Sequence, residues 1–250
     1  MEVTKYDPGQ FCWVELATKD AAAAKKFYGE LFGWSYDEMP MDGGPAYIFA
    51  KLPAGSVGAM YENKDIPSNW LVYVSVDSAD ATAAKAKSLG ASLKAEPFDV
   101  FDAGRMAVIH DPEGATFAIW QPMKHIGATV SGESGTFCWN ELMARDGDGE
   151  RTFYTSLFGW TTKVSPEYTE WHDGEKARGG FLEMKEARFD GLPANWLTYF
   201  LVDDVDASFA KAQSLGAAPH MPGMDIPNVG RFAVLGDPSG ASFALFKPKM

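Results

Sequence analysis

The chain has 250 residues, 46% hydrophobic and 22% charged, long enough for two domains with cores of their own. Its formal net charge of −12 argues against a nucleic-acid or anionic-membrane partner, because a phosphate-binding face needs clustered Lys and Arg and the basic residues here are scattered. No apolar run approaches the ~20 residues that span a bilayer. "MEVTKYDPGQ" lacks the basic and then apolar segments of a secretory signal, so the expected location is cytoplasmic.

Residues 10–17 alternate as a strand does. Asp20 stands where a helix N-cap belongs, Phe27, Leu31 and Phe32 recur at helical spacing, and Gly33 takes the C′ position. "AYIFAKL" and "SVGAMYE" read as strands joined by a Pro/Gly turn. "NWLVYVSV" is a strand that begins near Asn69 and leads into a second helix, from about Ala79 to Leu89, ended by Gly90. "GRMAVIH" and "TFAIWQP" are strands across "DPEG", which has Asp and Pro where a type I turn favours them. The order β-α-β-β-β-α-β-β predicts an α+β fold, since tight hairpins exclude an alternating parallel sheet.

Four blocks of this pattern recur 126 residues later. "FCWVELATKD" (11–20) returns as "FCWNELMARD" (137–146), "KKFYGELFGW" (25–34) as "RTFYTSLFGW" (151–160), and "GRMAVIHDPEGATFAIWQP" (104–122) as "GRFAVLGDPSGASFALFKP" (230–248). "PSNWLVYVSVD" at 67–77 likewise returns as "PANWLTYFLVD" at 193–203, with Asn195 opening the strand. A period this long is a duplicated domain, as solenoid repeats run about 20–50 residues. The expected division is residues 1–124, a small-residue linker 125–132, and residues 133–250. The two cysteines, Cys12 and Cys138, cannot form a disulfide scaffold or a four-Cys zinc site. Strand alternation predicts that each faces away from the Trp beside it, as core.

A first strand ending in Asp, then "FYxxLFGW", a Val-Asp junction and a terminal "DPxG" hairpin resemble the vicinal oxygen chelate superfamily of glyoxalases, bleomycin-binding proteins and extradiol dioxygenases. The resemblance covers both halves and is closest to tandem glyoxalase-like proteins that carry a hydroxylase label. It implies two tandem glyoxalase-like domains, each of paired βαβββ units forming a cupped mixed sheet with helices on the convex side. It also implies a divalent ion on the cup floor, held by residues of three strands. Those ligand positions fall here on Trp13 and Trp139, on Ala118 and Ala244, and near Leu71 and Leu197. None of these side chains coordinates a metal, so the expectation is no cofactor, with a divalent metal possible but disfavoured. His110, His125, His172 and His220 are unrepeated, and none has a suitable ligand at i+2 or i+4.

If the ligand position faces the cup, so do Trp13, Glu15, Trp139, Glu141, Trp120 and Phe246. The aromatics either line a ligand pocket or simply fill the cup. Glu15 and Glu141 either carry the polar chemistry, as general bases with raised pKa, or are spent on internal bonds, with Arg105 and Arg231 as conceivable partners. The expected function is a metal-independent small-molecule-binding protein, monomer or homodimer. The alternative is a lyase, isomerase or hydroxylase acting on a small oxygenated metabolite through Glu15 and Glu141 or a non-standard metal site. A third is a non-catalytic interaction protein whose cups are filled.

Overall fold

A computed structural model describes residues 1–41, 43–166 and 168–249. The first half runs β1 (Phe11–Thr18), α1 (Ala21–Phe32), β2 (Ser35–Met39), β3 (Tyr47–Leu52), β4 (Gly55–Glu62), β5 (Asn69–Ser75), α2 (Ala79–Ser88), β6 (Ser92–Val100), β7 (Gly104–His110) and β8 (Thr116–Pro122). The second repeats it: β9 (Phe137–Ala144), α3 (Gly147–Phe158), β10 (Thr161–Val164), β11 (Thr169–Asp173), β12 (Lys176–Glu183), β13 (Asn195–Leu201), α4 (Val205–Ser214), β14 (Ala218–Ile226), β15 (Gly230–Gly236) and β16 (Ser242–Pro248). Each half makes one eight-stranded mixed sheet, ordered β2-β3-β4-β1-β5-β8-β7-β6 and β10-β11-β12-β9-β13-β16-β15-β14. Within each sheet two βαβββ units meet along one antiparallel pair, β1 with β5 or β9 with β13. This is the α+β architecture of two tandem glyoxalase-like units. No helix among the described residues is long and apolar enough to cross a membrane.

Four strands were missing from the sequence reading: β2 and β6, and their counterparts β10 and β14. All lie at sheet edges. Edge strands have one neighbour and exposed faces, so their side chains need not alternate, and Pro97, Pro219 and Pro222 are tolerated there. The helix signals held. Asp20 Oδ1 accepts from Ala23 N at 2.9 Å, and Gly33 takes the left-handed conformation at φ 76°. Asp146 and Gly159 do the same for α3.

The convex faces of both sheets and their helices bury one common apolar cluster that runs through both halves. Contacts cross between the halves, α1 with α4 and α2 with α3. Two polar chains thread this core in opposite directions. Trp70 Nε1 donates to Tyr28 OH, which donates to Asp237 Oδ2 at 3.0 Å; Trp196 Nε1 donates to Tyr154 OH, which donates to Asp111 Oδ2 at 2.8 Å. Each Asp belongs to a "DPxG" turn, and its other oxygen accepts backbone N–H groups of that turn. The Trp of each "FGW" also crosses: Trp34 donates to the Gly135 carbonyl at 2.9 Å and Trp160 to that of Gly9 at 3.0 Å.

One position breaks this symmetry. Glu150, in the first turn of α3, replaces the buried Ala24 of α1 and is only 1% exposed. Neither of its carboxylate oxygens has a hydrogen-bond partner. Burial, and next the Asp111 carboxylate beside it, push its pKa from 4.5 up to about 9. A carboxyl with a raised folded-state pKa binds its proton more tightly when folded. The stability it contributes is fully present below pH 4.5 and is lost as pH rises toward 9. Glu150→Ala should therefore raise the thermal midpoint over wild type at pH 8.5 and much less at pH 5. A midpoint difference independent of pH in parallel melts would refute this account.

Candidate functional site

Glu15 lies on the concave face of β1, 7% exposed, opposite Leu71 of β5. Its carboxylate accepts from Tyr47 OH at 2.6 Å and from Tyr73 OH at 3.1 Å, while Trp13 Nε1 donates to the Tyr47 oxygen at 3.1 Å. Glu141 repeats part of this on β9: Tyr199 OH donates to it at 3.0 Å, and Trp139 Nε1 donates to Tyr168 OH at 2.9 Å. Burial pushes both carboxyl pKa values up, and the phenols partly offset it. Arg105 and Arg231 are not the partners. Arg105 is spent on Asp80 and Asp99, and Arg231 on Asp206 and Asp225.

The tyrosines were the residues the sequence reading missed, although a signal existed. Tyr73 and Tyr199 sit in the repeated "NWLVYV" and "NWLTYF". Tyr47 and Tyr168 follow Pro45 and Pro166 in "PAY" and "PEY", displaced from the general period because the loops before β3 and after β4 trade length. Tyr168 reaches Trp139 by lying across Gly180, where a Cβ would come 1.7 Å from the phenol oxygen.

The cysteines also differ from expectation. Phe11 pairs with Val74 and Trp13 with Tyr73, so Cys12 sits in a β-bulge and joins Trp13 in the concave cluster. The bulge re-aims the side chain that strict alternation would send to the helices. Cys138 repeats this against Tyr199 and Phe200. Burial pushes the Cys12 thiol up and the Cys138 thiol up to about 12, which makes both poor nucleophiles at neutral pH.

The two cups are chemically unlike. In the first, the segment after β8 lies against the concave face. His125 packs edge-on to Trp13 with centroids 4.8 Å apart, and Trp120 Nε1 donates to the His125 carbonyl at 2.8 Å. Ala128 N then bonds the Cys12 carbonyl at 2.8 Å. Gly127, at φ 115°, permits this approach, since a Cβ there would come 2.3 Å from the same carbonyl. Trp13 and Trp120 are consequently buried, at 4% and 6% exposure. In the second cup, Cys138, Trp139 and Phe246 are only half-buried, and the cluster is drawn from strands of its own sheet.

Further along the second cup, Glu170 pairs with Gly180, itself paired with Glu141, so Glu170 shares the concave face. Its carboxylate bonds His172 Nε2 at 2.8 Å. Glu170 stands two residues before His172, a potential ligand at a spacing where none was expected for any of the four histidines. The equivalent first-cup position is Phe49, which packs on Trp13 and His125.

Of the positions where the resemblance implies metal ligands, Leu71 and Leu197 pair with Glu15 and Glu141, and it is Tyr73 and Tyr199 that lie between the other two. Trp13, Tyr73 and Ala118 stand side by side, as do Trp139, Tyr199 and Ala244. Indole Nε1 is a donor only, and here it is used on a tyrosine oxygen. Among the described residues no three His, Cys, Asp or Glu side chains converge on one point. The residues present do not fit the ion that metal-using relatives hold on the cup floor.

The chain belongs to the glyoxalase/bleomycin resistance protein/dioxygenase superfamily, whose model matches residues 10–119. It is 40% identical over 256 aligned positions to the candidate glyoxylase CFP32 of Mycobacterium tuberculosis, covering 98% of this chain and 97% of that one. It is 30% identical to the anthracycline biosynthesis protein DnrV of Streptomyces peucetius, covering 97% and 94%. Among solved structures, it resembles the Mn(II)-bound glyoxalase of Novosphingobium aromaticivorans in fold, with a TM-score of 0.66, 16% identity and coverage of 96% and 82%. An extradiol ring-cleaving dioxygenase from B. fuscum matches with a TM-score of 0.68, 12% identity and coverage of 99% and 74%.

Two measurements probe the cups. Tyr73→Phe leaves a buried carboxyl oxygen of Glu15 without its donor and should cost about 1–3 kcal/mol in urea unfolding, whereas Glu15→Gln keeps an acceptor and should cost less. Equal costs would reduce the phenols to packing. His125→Ala should expose Trp13 and increase acrylamide quenching of indole fluorescence; unchanged quenching would show that the segment does not shield the first cup.

Proposed function

We propose that the protein binds a small, planar, oxygenated molecule in the second cup and does so without the family's metal. The observation that supports this most directly is the half-buried concave face of β9 and β16, where Trp139 and Phe246 flank a carboxyl held by phenols. Such an apolar concavity with a few fixed polar groups is the usual form of a small-molecule site. Trp139 and Phe246 supply faces for an aromatic ring. Glu141, Tyr168 and Tyr199 supply a donor–acceptor set for hydroxyl or carbonyl oxygens. The relative named for anthracycline biosynthesis supports a polycyclic oxygenated ligand, and the bleomycin-resistance branch of the superfamily supports binding as a function in itself. The first cup, with Glu15 bonded to both tyrosines and the linker packed over Trp13, serves as structure.

A second reading has its own support. A buried carboxyl with a raised pKa is poised to move protons, so Glu141, and in an opened first cup Glu15, would act as general base in a lyase, isomerase or hydroxylase reaction. Glu141 would take a proton from carbon beside a carbonyl, and Tyr199, released as donor once that carboxyl is protonated, would turn its O–H to the oxygen that gains charge. The glyoxylase name of the mycobacterial relative favours this reading.

Titration with 1,8-dihydroxyanthraquinone, followed by ligand absorbance, tests the site. Trp139→Ala and Glu141→Gln should each weaken binding about tenfold, or ~1.4 kcal/mol. An equal loss from Glu15→Gln would move the site to the first cup. Affinity should survive exhaustive treatment with EDTA. A stoichiometric transition metal in the purified protein, whose removal abolishes binding, would defeat the metal-free reading.

A further inference from the structure

A cavity of about 440 Å³ lies where the N-terminal segment and residues 131–132 meet the starts of β9 and β12, on the flank of Trp139. Its lining contains no Asp or Glu, although the chain has 34 acidic residues against 22 basic ones. The charged side chains that do line it, Lys5 and Arg178, are cationic. In a protein this acidic, such a lining points to an anionic occupant.

Arg178 carries the argument. It is the bulge residue of β12, skipped between Gly179 and Ala177 in the pairing with β11. The first half has the same bulge, and there the skipped residue is Val57, wholly buried in the apolar core. The duplicated position has therefore exchanged an apolar group for a guanidinium whose side chain is only 9% exposed. One Arg178 nitrogen donates to Asp173, while its Nε is buried with no partner. A buried cationic donor left unmatched is costly, and an acceptor in the cavity would relieve that cost.

The remaining lining supplies the rest of a site. Gln10 uses its carbonyl oxygen to accept from Asp7 N at 2.6 Å, which leaves the amide NH₂ as the donor it can offer. Asn140 uses its oxygen to accept from Thr198 Oγ1 at 3.0 Å and is left in the same state. Phe11 and Phe137 add apolar surface. Lys5 is held by an exposed pair with Asp7, at 3.2 Å, which solvent weakens.

We propose that this cavity binds a small organic carboxylate with a flat apolar body, its carboxylate on the Arg178 fork and its body against Phe11 and Phe137. A planar guanidinium matches a carboxylate in bidentate geometry, and the volume suits a small-molecule ligand. The site adjoins the Glu141 cup, sharing Cys138 and Trp139 with it, but it is argued from Arg178 and does not rest on the reading given to that cup.

The test uses 2-naphthoate and its neutral amide, 2-naphthamide, in calorimetric titrations at low ionic strength. Wild type should bind naphthoate at least tenfold tighter than naphthamide. Arg178→Val installs the residue that the first half carries at the same bulge. It should erase that preference while leaving naphthamide affinity within twofold. Should the Val variant fail to fold, Arg178→Lys, which keeps the charge and loses the fork, should reduce the preference at least threefold. Equal affinity of wild type for the two probes, failure to bind either, or an unchanged preference in the folded variants would overturn the proposal.

Discussion

Two hydrogen bonds made in opposite directions, Tyr28 to Asp237 and Tyr154 to Asp111, set the arrangement of the whole molecule. Each joins a helix of one half to a turn of the other, in a core where water cannot substitute. Burial and the facing carboxylate push both tyrosine pKa values far up, so each phenol stays protonated and remains a donor. A bond to a charged acceptor of this kind is worth about 1.5–3 kcal/mol, and losing one partner strands the other. With the convex faces tied together, the helices are enclosed and the concave faces are left for other uses. The "FY", "FGW" and "DPxG" motifs are therefore one interlocking set: each supplies a group that the opposite half accepts.

The cups follow from what that lock leaves free. A Glu on a concave strand surrounded by Trp, Ala and Leu would be untenable as a bare charge. Two phenols and an indole make it tolerable, because Tyr can donate a hydrogen bond to the carboxylate and still accept one from Trp. The same set does not suit the ion that the resemblance implies. The indole nitrogen has no lone pair to offer, and the neighbouring tyrosines are already turned toward the carboxyl. The altered ligand positions and the tyrosine–glutamate network are two sides of one change in donor chemistry.

Much of this was legible in the residues, and what was not has physical causes. Caps at Asp20 and Gly33 are local, so sequence alone located α1. The duplication placed Trp13, Glu15, Trp139 and Glu141 on a common face because strand alternation is a short-range rule. That rule failed at Cys12 and Cys138, where a bulge depends on pairing with β5 and β13 and leaves no local trace. The edge strand β6 alternates only between exposed and partly buried, with Pro97 within it, and β2 is short and mostly polar, so neither stands out by hydrophobicity. Partners distant in sequence were harder still: Arg105 seemed available to Glu15, yet Asp80 and Asp99 compete for it at the surface. Tyr47 escaped notice because the repeat is displaced by compensating loop lengths.

The asymmetry between the halves shows where duplication allows divergence. Residues of the convex faces are held in pairs, since a change at Tyr28 or Asp237 exposes its partner to an unmatched bond. Concave residues answer to their own cup alone. The first cup could thus accept Phe49 and the segment carrying His125, gaining apolar burial at the expense of access. Where the first carries Phe49 the second carries Glu170, bonded to His172, a polar pair that water or a ligand can reach. Glu150 shows the limit of that freedom: placed on the shared face, an unmatched carboxyl must hold a proton to be tolerated. Chemistry new to this fold is therefore expected on the concave faces and at the sheet ends, where a side chain can change without a counterpart in the opposite half having to change with it.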